Sequence, residues 1–292
     1  ILTDGFELKV LNRAKDTYKF AGWKGIYDSR VLKTLDVDST ALGFAGGFPG
    51  EFISKTLEES KIHTDFIEVD EDTRINVKLK SGQETEINAP GPKVTQDQFQ
   101  ALLTQIKNTT NKDTVIVAGS VPNSIPSDAY AQIAEITKNT GAKLVVDAEK
   151  DLVETVLPYQ PLFIKPNKDE LEVMFNTTVS SDQDVVKYGK EILKKGAQSV
   201  IISLGCDGAV YVDEQQSIKA VNPQGKVINT VGSGDSTVAG MVAGLESGLS
   251  IQDAFKQAVA SGTATAFEED LATRDAIEKI KSQVTVSVLD GE

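Results

Sequence analysis

The stretch Asn229-Thr230-Val231-Gly232-Ser233-Gly234-Asp235-Ser236-Thr237-Val238-Ala239-Gly240 sets two glycines and a carboxylate at the opening of a run of small residues that suits a helix. The first amides of a helix have no intrahelical acceptor and its dipole is positive at that end, so such an opening can hold an anion. Gly232 and Gly234, with Ser233 between them, let the backbone approach a phosphate closely. Asp235 then stands at the mouth as an acid able to accept the proton of an attacking hydroxyl, while the amides stabilise charge on a transferring phosphoryl group. The same residues also fit a plain turn with an acidic residue near a helix start, and residue types alone leave both readings open.

The common nucleotide patterns do not decide the matter. Gly232-Ser233-Gly234 would need a third glycine where Thr237 stands, which removes the dinucleotide fingerprint and with it the best argument for an oxidoreductase. No Gly-x-x-x-x-Gly-Lys-Ser/Thr string occurs either. Asn167-Lys168-Asp169-Glu170 follows Pro166, a pattern in which Asn167 caps a helix and the two acids favour its positive end. The single His63, at the start of a polar strand, reads as a surface residue, and the single Cys206 has no basic neighbour to activate it. One cysteine and one histidine also exclude a disulfide framework and a Cys/His zinc site.

These groups must be carried by a larger scaffold. From Thr114 the sequence alternates apolar strand-like runs with helical ones: 114–118, 127–138, 143–147, 152–157 and 162–165. Continuous runs such as Val115-Ile116-Val117 and Leu144-Val145-Val146 suit parallel strands covered by helices on both faces, a doubly wound α/β sheet. Ser203 to Gly208 separates Val200-Ile201-Ile202 from Ala209 to Val212 as the turn of a hairpin does, and the last third reads as helices over 233–245, 251–267 and 273–281. Residues 74–80 differ, because strict alternation sets Ile75, Val77 and Leu79 on one face. With Glu84 to Ile87, Asp65 to Val69 and Phe6 to Val10 they predict a small antiparallel β appendage. Ala89-Pro90-Gly91-Pro92 closes it as a hinge, and Thr95 caps the helix that follows.

The 292 residues allow about two units at ~150 residues each, or one large α/β domain with an appendage. The formal charge of −13 disfavours unselective nucleic-acid binding, which needs a cationic face to displace counterions. No apolar run approaches the ~20 residues that span a bilayer, and the first residues lack the pattern of a signal peptide, so the expected setting is cytoplasmic.

Gly232-Ser233-Gly234-Asp235 with its flanks resembles the C-terminal signature of the PfkB (ribokinase-like) carbohydrate kinases, and the likeness extends across nearly the whole chain. The resemblance implies a mainly parallel, doubly wound sheet with an antiparallel β lid, formed by residues 1–20 and 64–88 against an α/β kinase domain of 21–63 and 89–292. It implies transfer of the γ-phosphoryl of ATP to a ketohexose phosphate, fructose 1-phosphate first and tagatose 6-phosphate as the alternative, with Mg2+. In the family's terms Asp235 is the general base, and Gly232, Ser233 and Gly234 form the anion hole. Asn167 and Glu170 hold magnesium through water, and Ser203, Gly205, Asp207 and Gly208 with Gly234 lie on the nucleotide side. Gly43-Phe44-Ala45-Gly46-Gly47 and Thr73-Arg74-Ile75-Asn76-Val77 resemble the sugar-phosphate side, so Lys24, Gly25, Gly46, Gly47 and Arg74 are assigned to the acceptor. Arg74 can fork onto phosphate oxygens, whereas Lys24 acts as a point charge. The apolar face of the lid implies a homodimer.

Three departures bear on activity. The family's Gly-Gly-Lys-Gly-x-Asn reads Gly22-Trp23-Lys24-Gly25-Ile26-Tyr27 here, and Asp28 adds a negative charge beside it. The family's opening core strand has no match from Ile1 onward, which implies neighbouring strands short of a hydrogen-bonding partner. Together these changes imply the other outcome, a nucleotide-binding homologue impaired in catalysis.

Overall fold

The computed structural model describes residues 1–3, 5–22 and 24–289. In chain order the elements are α1 (Lys24–Thr34), β1 (Thr40–Ala45), α2 (Gly47–Glu59), β2 (His63–Glu68), β3 (Asn76–Ser81), β4 (Gln83–Asn88), α3 (Gln96–Lys107), β5 (Thr114–Ala118), α4 (Ala129–Thr140), β6 (Lys143–Asp147) and α5 (Lys150–Val156). There follow β7 (Phe163–Ile164), α6 (Lys168–Phe175), α7 (Asp182–Lys195), β8 (Ser199–Ser203), β9 (Ala209–Asp213), β10 (Ser217–Val221), α8 (Ser233–Glu246), α9 (Ile251–Ala266), α10 (Arg274–Lys281) and β11 (Thr285–Val288).

The central sheet runs β11-β10-β9-β8-β7-β6-β5. Its half from β5 to β8 is parallel and its half from β8 to β11 antiparallel. The chemistry of the strands explains the layering. Val145, Phe163 and Ile201 pack on one face with α8 and α9, while Val146, Ile164, Val200 and Ile202 pack on the other with α4 to α7. Successive side chains of a strand point to opposite faces, so an unbroken apolar run feeds both layers. The helices begin where caps are available: Thr95 accepts from Gln98, as its type predicted, Ser181 from Asp184 and Ser250 from Asp253.

Helices α8 and α9 approach closely because small residues face each other. A Cβ on Gly240 would stand 2.9 Å from Ala258 Cα, and one on Gly244 2.7 Å from Ala254 Cα. This contact fixes where the start of α8 emerges over the carboxyl ends of the parallel strands.

The appendage differs from expectation. The antiparallel ribbon has two strands, β3 and β4, joined across Ser81-Gly82. The stretch Asp65–Val69 is not its third member: β2 pairs parallel to β1, as a strand reached through the crossover helix α2 must. Phe6–Val10 is not a strand either. Asn12 bonds both backbone groups of Glu7 and the carbonyl of Val10, and Lys9 takes a left-handed φ of 67°, so a local turn overrides the alternation. Instead Ile1 to Thr3 line up along β3, with Thr3 N–H donating to the Lys80 carbonyl at 3.0 Å and Lys80 N–H to that of Ile1 at 2.9 Å.

Among the described residues β1 pairs only with β2, and β5 only with β6. Between these two open edges lies a groove of about 1490 Å³, lined along both strands and reaching Gly22, Gly25, Asp28 and Arg74.

Candidate active site

Gly232 precedes α8 in a left-handed conformation, φ 80°, which a glycine adopts without strain, and no side chain caps the helix. Ser233 N–H donates to the Thr230 carbonyl at 3.2 Å and Ser236 N–H to that of Gly232 at 2.8 Å, leaving the Gly234 amide at the open turn. Ser233 Oγ is buried without a hydrogen-bond partner.

Asp235, in this first turn, is only 7% exposed. Burial first, and then the charge of Asp147, push its carboxyl up to about 6, against the opposing pull of Lys24 and Lys165. Asp147 ends β6 and Lys165 follows β7, both buried. Lys24 Nζ lies 3.2 Å from Asp147 Oδ2, and Lys165 Nζ lies 3.6 Å from Oδ1. Lys165 Nζ is also where a side chain on Gly234 would point, 3.2 Å from an ideal Cβ. Burial draws the Lys24 ammonium down, but Asp147, Asp235 and Glu170 more than offset it and leave it raised. The mouth of α8 therefore holds a carboxylate poised between two cations.

Asn167 and Glu170 form a capping box at the start of α6: Glu170 N–H donates to Asn167 Oδ1, and Asn167 N–H to Glu170 Oε2, each at 2.8 Å. The helix-start reading of this pair is thus realised, and Glu170 Oε1 lies outside the box. Among the described residues no three His, Cys, Asp or Glu side chains are grouped to hold a metal by themselves. One carboxylate oxygen fits a small hard cation that keeps most of its water and draws its other ligands from phosphates.

Ser203, Gly205, Asp207 and Gly208 form the β8-β9 turn. Ser203 N–H donates to the Pro166 carbonyl at 3.1 Å, and Ser203 bridges Asn167, so this turn and the capping box share one corner. Gly208 has no room for a side chain, since a Cβ would stand 1.9 Å from the Ala220 carbonyl oxygen. Cys206 is exposed.

The residues assigned to the acceptor are more dispersed. Gly25 lies in the first turn of α1 and opens onto the groove. Gly46 and Gly47 are packed against the chain's own backbone: a Cβ on Gly46 would meet the Val69 carbonyl oxygen at 2.3 Å, and one on Gly47 would meet the Asp72 side chain. They shape the loop that carries Arg74 and do not line the groove. Arg74 Nη1 donates to the Ala89 carbonyl at 3.4 Å and Nη2 to Ser120 Oγ at 3.2 Å. Beside Ser120, Gly119 N–H donates to the Asp147 carbonyl at 3.3 Å, so Arg74 reaches the α8 mouth through two bonded steps. Tyr27 lies against Gly22 and Gly232. Trp23 lies outside the described residues.

Asp147 and Lys165 are absent from the residue assignments made above. Their signal was present, because ligands of doubly wound sheets gather at the carboxyl ends of the parallel strands, where both residues stand.

Comparison with known proteins decides the family. The model of the pfkB family carbohydrate kinases matches residues 1–277. The chain is a pfkB family carbohydrate kinase. It is 43% identical to the 1-phosphofructokinase of Bacillus subtilis (strain 168) over 98% of this chain and 94% of that one. It is 34% identical to a tagatose-6-phosphate kinase of Staphylococcus epidermidis over 97% and 94%. A provisionally named phosphofructokinase of Staphylococcus aureus, solved by crystallography, superposes with a TM-score of 0.90 at 78% identity, covering 100% of this chain and 95% of that one. Like the family, this carbohydrate kinase joins an α/β sheet to a small antiparallel ribbon, and ATP is the co-substrate that family membership brings. No helix among its described residues is long and apolar enough to cross a membrane.

Proposed function

We propose that this kinase phosphorylates the free terminal hydroxyl of a ketohexose phosphate, fructose 1-phosphate in the first place and tagatose 6-phosphate in the second. The observation that carries the reading is Asp235, buried in the first turn of α8 and subject to the charges of Lys24 and Lys165. With a carboxyl near 6 it is ionised at neutral pH yet retains enough basicity to take a hydroxyl proton. As the hydroxyl oxygen bonds to the γ-phosphorus, its proton passes to Asp235 and the bond to the β-γ bridging oxygen breaks, releasing ADP. The Gly234 amide and the two ammonium groups offset charge on the phosphoryl oxygens.

Ser203, Gly205, Asp207 and Gly208 border the nucleotide in this reading, and Glu170 with Asn167 holds Mg2+ through water. The ion, when bound, screens the phosphate charges. Arg74 carries the acceptor's phosphate, with Lys24 and the glycines at 25, 46 and 47 shaping its surroundings. The ribbon of β3 and β4, with Ile1 to Thr3 along it, acts as a lid that excludes water, and the expected setting is the cytoplasm. Ile75 and Ile87 expose an apolar face of the ribbon, which supports pairing with a second copy; a solution mass of the monomer alone would remove that part.

A coupled assay of ADP formation across a panel of sugar phosphates tests the substrate. Turnover with fructose 1-phosphate, lost in Asp235→Asn, is the expected result. ATP binding with no turnover on any acceptor would favour the impaired homologue, a reading that Tyr27 over Gly232 and the buried, unpartnered Asp28 support.

A further inference from the structure

Asp147 belongs to none of the roles above, yet it touches most of them. Its side chain is 5% exposed, and each carboxylate oxygen faces a different lysine: Lys24 at 3.2 Å from Oδ2, Lys165 at 3.6 Å from Oδ1. Its backbone carbonyl takes two further donors, Lys24 Nζ and Gly119 N–H, each at 3.3 Å. The three groups come from distant parts of the sequence and meet only because β6, β7 and the start of α1 end at the same rim. Removing one partner of a buried charge set leaves the others unpaired, and that is costly.

Lysine side chains are long and lose much rotamer freedom when held in one place. An ammonium useful to a phosphoryl group must nevertheless be in place before the charge develops. A single carboxylate with one lysine on each oxygen solves this problem for both cations at once. Lys165 is thereby held beside Gly234, where the anion arrives.

We propose that Asp147 is the positioning residue of this site, setting Lys24 and Lys165 on either oxygen so that both ammonium groups face the anion at the start of α8. It also ties the acceptor side to the chemistry. Gly119, bonded to Asp147, precedes Ser120, which receives Arg74, so the sugar-phosphate arginine and the two lysines share one anchor. The proposal rests on the phosphoryl-transfer reading for its consequence in turnover, but the arrangement itself can be measured without turnover.

The experiment compares wild type with Asp147→Asn and Asp147→Glu. In protein 13C-labelled at the lysine side chains, the NMR signals of Lys24 and Lys165 report directly whether each ammonium is held in one place. Both are expected to stand apart from the exposed lysines in wild type, to collapse toward them in Asp147→Asn, and to stay near the wild-type positions in Asp147→Glu. With ATP and fructose 1-phosphate, kcat of the Asn variant is expected to fall about tenfold to a hundredfold, with partial rescue by Glu. Lys24 and Lys165 signals unmoved in Asp147→Asn, in a protein whose thermal melt shows it folded, overturn the proposal whatever the activity. Held lysine signals in a wild type that has no turnover on any sugar phosphate keep the arrangement and remove the kinase chemistry. Should the Asn variant fail to fold, Asp147→Ser carries the same test with the same two outcomes.

Discussion

Two buried aspartates lie on adjoining elements and meet opposite fates. At the mouth of α8, Asp235 is surrounded by opposing charges: Asp147 raises it, while Lys24 and Lys165 pull it back to about 6. On α1, Asp28 is still more deeply buried, at 2% exposure, and neither of its oxygens has a hydrogen-bond partner. Burial, with Asp235 and Asp147 adding to it, drives its carboxyl well above the ordinary range, and the pull of Lys24 and Lys165 does not bring it back. The first is poised between protonation states near neutrality, which is what a base requires. The second carries the cost of burial with no chemistry to show for it. The contrast teaches that burial alone does not make a catalytic base; it takes nearby cations strong enough to offset most of the burial.

The hardest way to break this contrast is to remove the poised group. Asp235→Asn keeps the shape and the amides of α8 but cannot accept a proton, so kcat is expected to fall by about 10²–10⁴. Thermal melting at neutral pH should hold or rise, since a buried carboxylate is lost. A variant that keeps more than a tenth of the wild-type rate would place the base elsewhere.

Arg74 tests whether the acceptor side is a separate unit. It is linked to the charge cluster through Ser120 and Gly119. Loss of charge-assisted bonds to a phosphate costs about 1.5–3 kcal/mol, so Arg74→Ala should raise KM for fructose 1-phosphate by about ten- to a hundredfold and leave KM for ATP nearly unchanged. An equal rise in both would mean that the two sides act as one.

The sequence showed much of this machinery, and where it failed the reasons are physical. The parallel strands were legible because apolar runs buried on both faces have no polar interruption, and α8 because glycines before a small-residue helix are rarely needed elsewhere. The β8-β9 hairpin and the Thr95 cap followed from local chemistry alone. Phe6–Val10 misled because alternation says nothing about Asn12, whose side chain holds a turn over it. Asp65–Val69 looks like a ribbon strand because its own residues do not reveal that a crossover helix precedes it. At Gly46 and Gly47 the sequence displays the glycines but not the close contact with residues 69–72 that leaves no room for a side chain there. Asp147 and Lys165 sit at strand ends that were correctly located, but their pairing with Lys24 exists only once α1 is packed against them.

A smaller effect separates the two cations' influence on the base. Only ionised Asp235 accepts a proton, so the wild-type rate should fall as pH drops through about 6. Lys24 lowers Asp235, and Lys24→Met should therefore move the acid limb of kcat/KM to higher pH. An acid limb unmoved, or displaced to lower pH, in Lys24→Met would refute the charge balance drawn for the α8 mouth.

The smallest change concerns stability. Leaving a buried polar group unpaired costs about 1–3 kcal/mol, so Asp28→Val should raise the melting temperature by a few degrees for a chain of this size. The sign of its pH dependence follows from linkage. The folded carboxyl of Asp28 is raised far above its unfolded value of about 3.9, so the wild type has its full stability below that pH and loses it as pH rises toward the folded value. The valine variant has no such group. Its advantage in a differential scanning measurement should be small in acid and widen toward neutrality, whereas for Asp235→Asn it should level off above about 6. Equal melting of wild type and Asp28→Val at every pH would mean that Asp28 finds a partner in solution, and the contrast between a compensated and an uncompensated carboxylate would no longer stand.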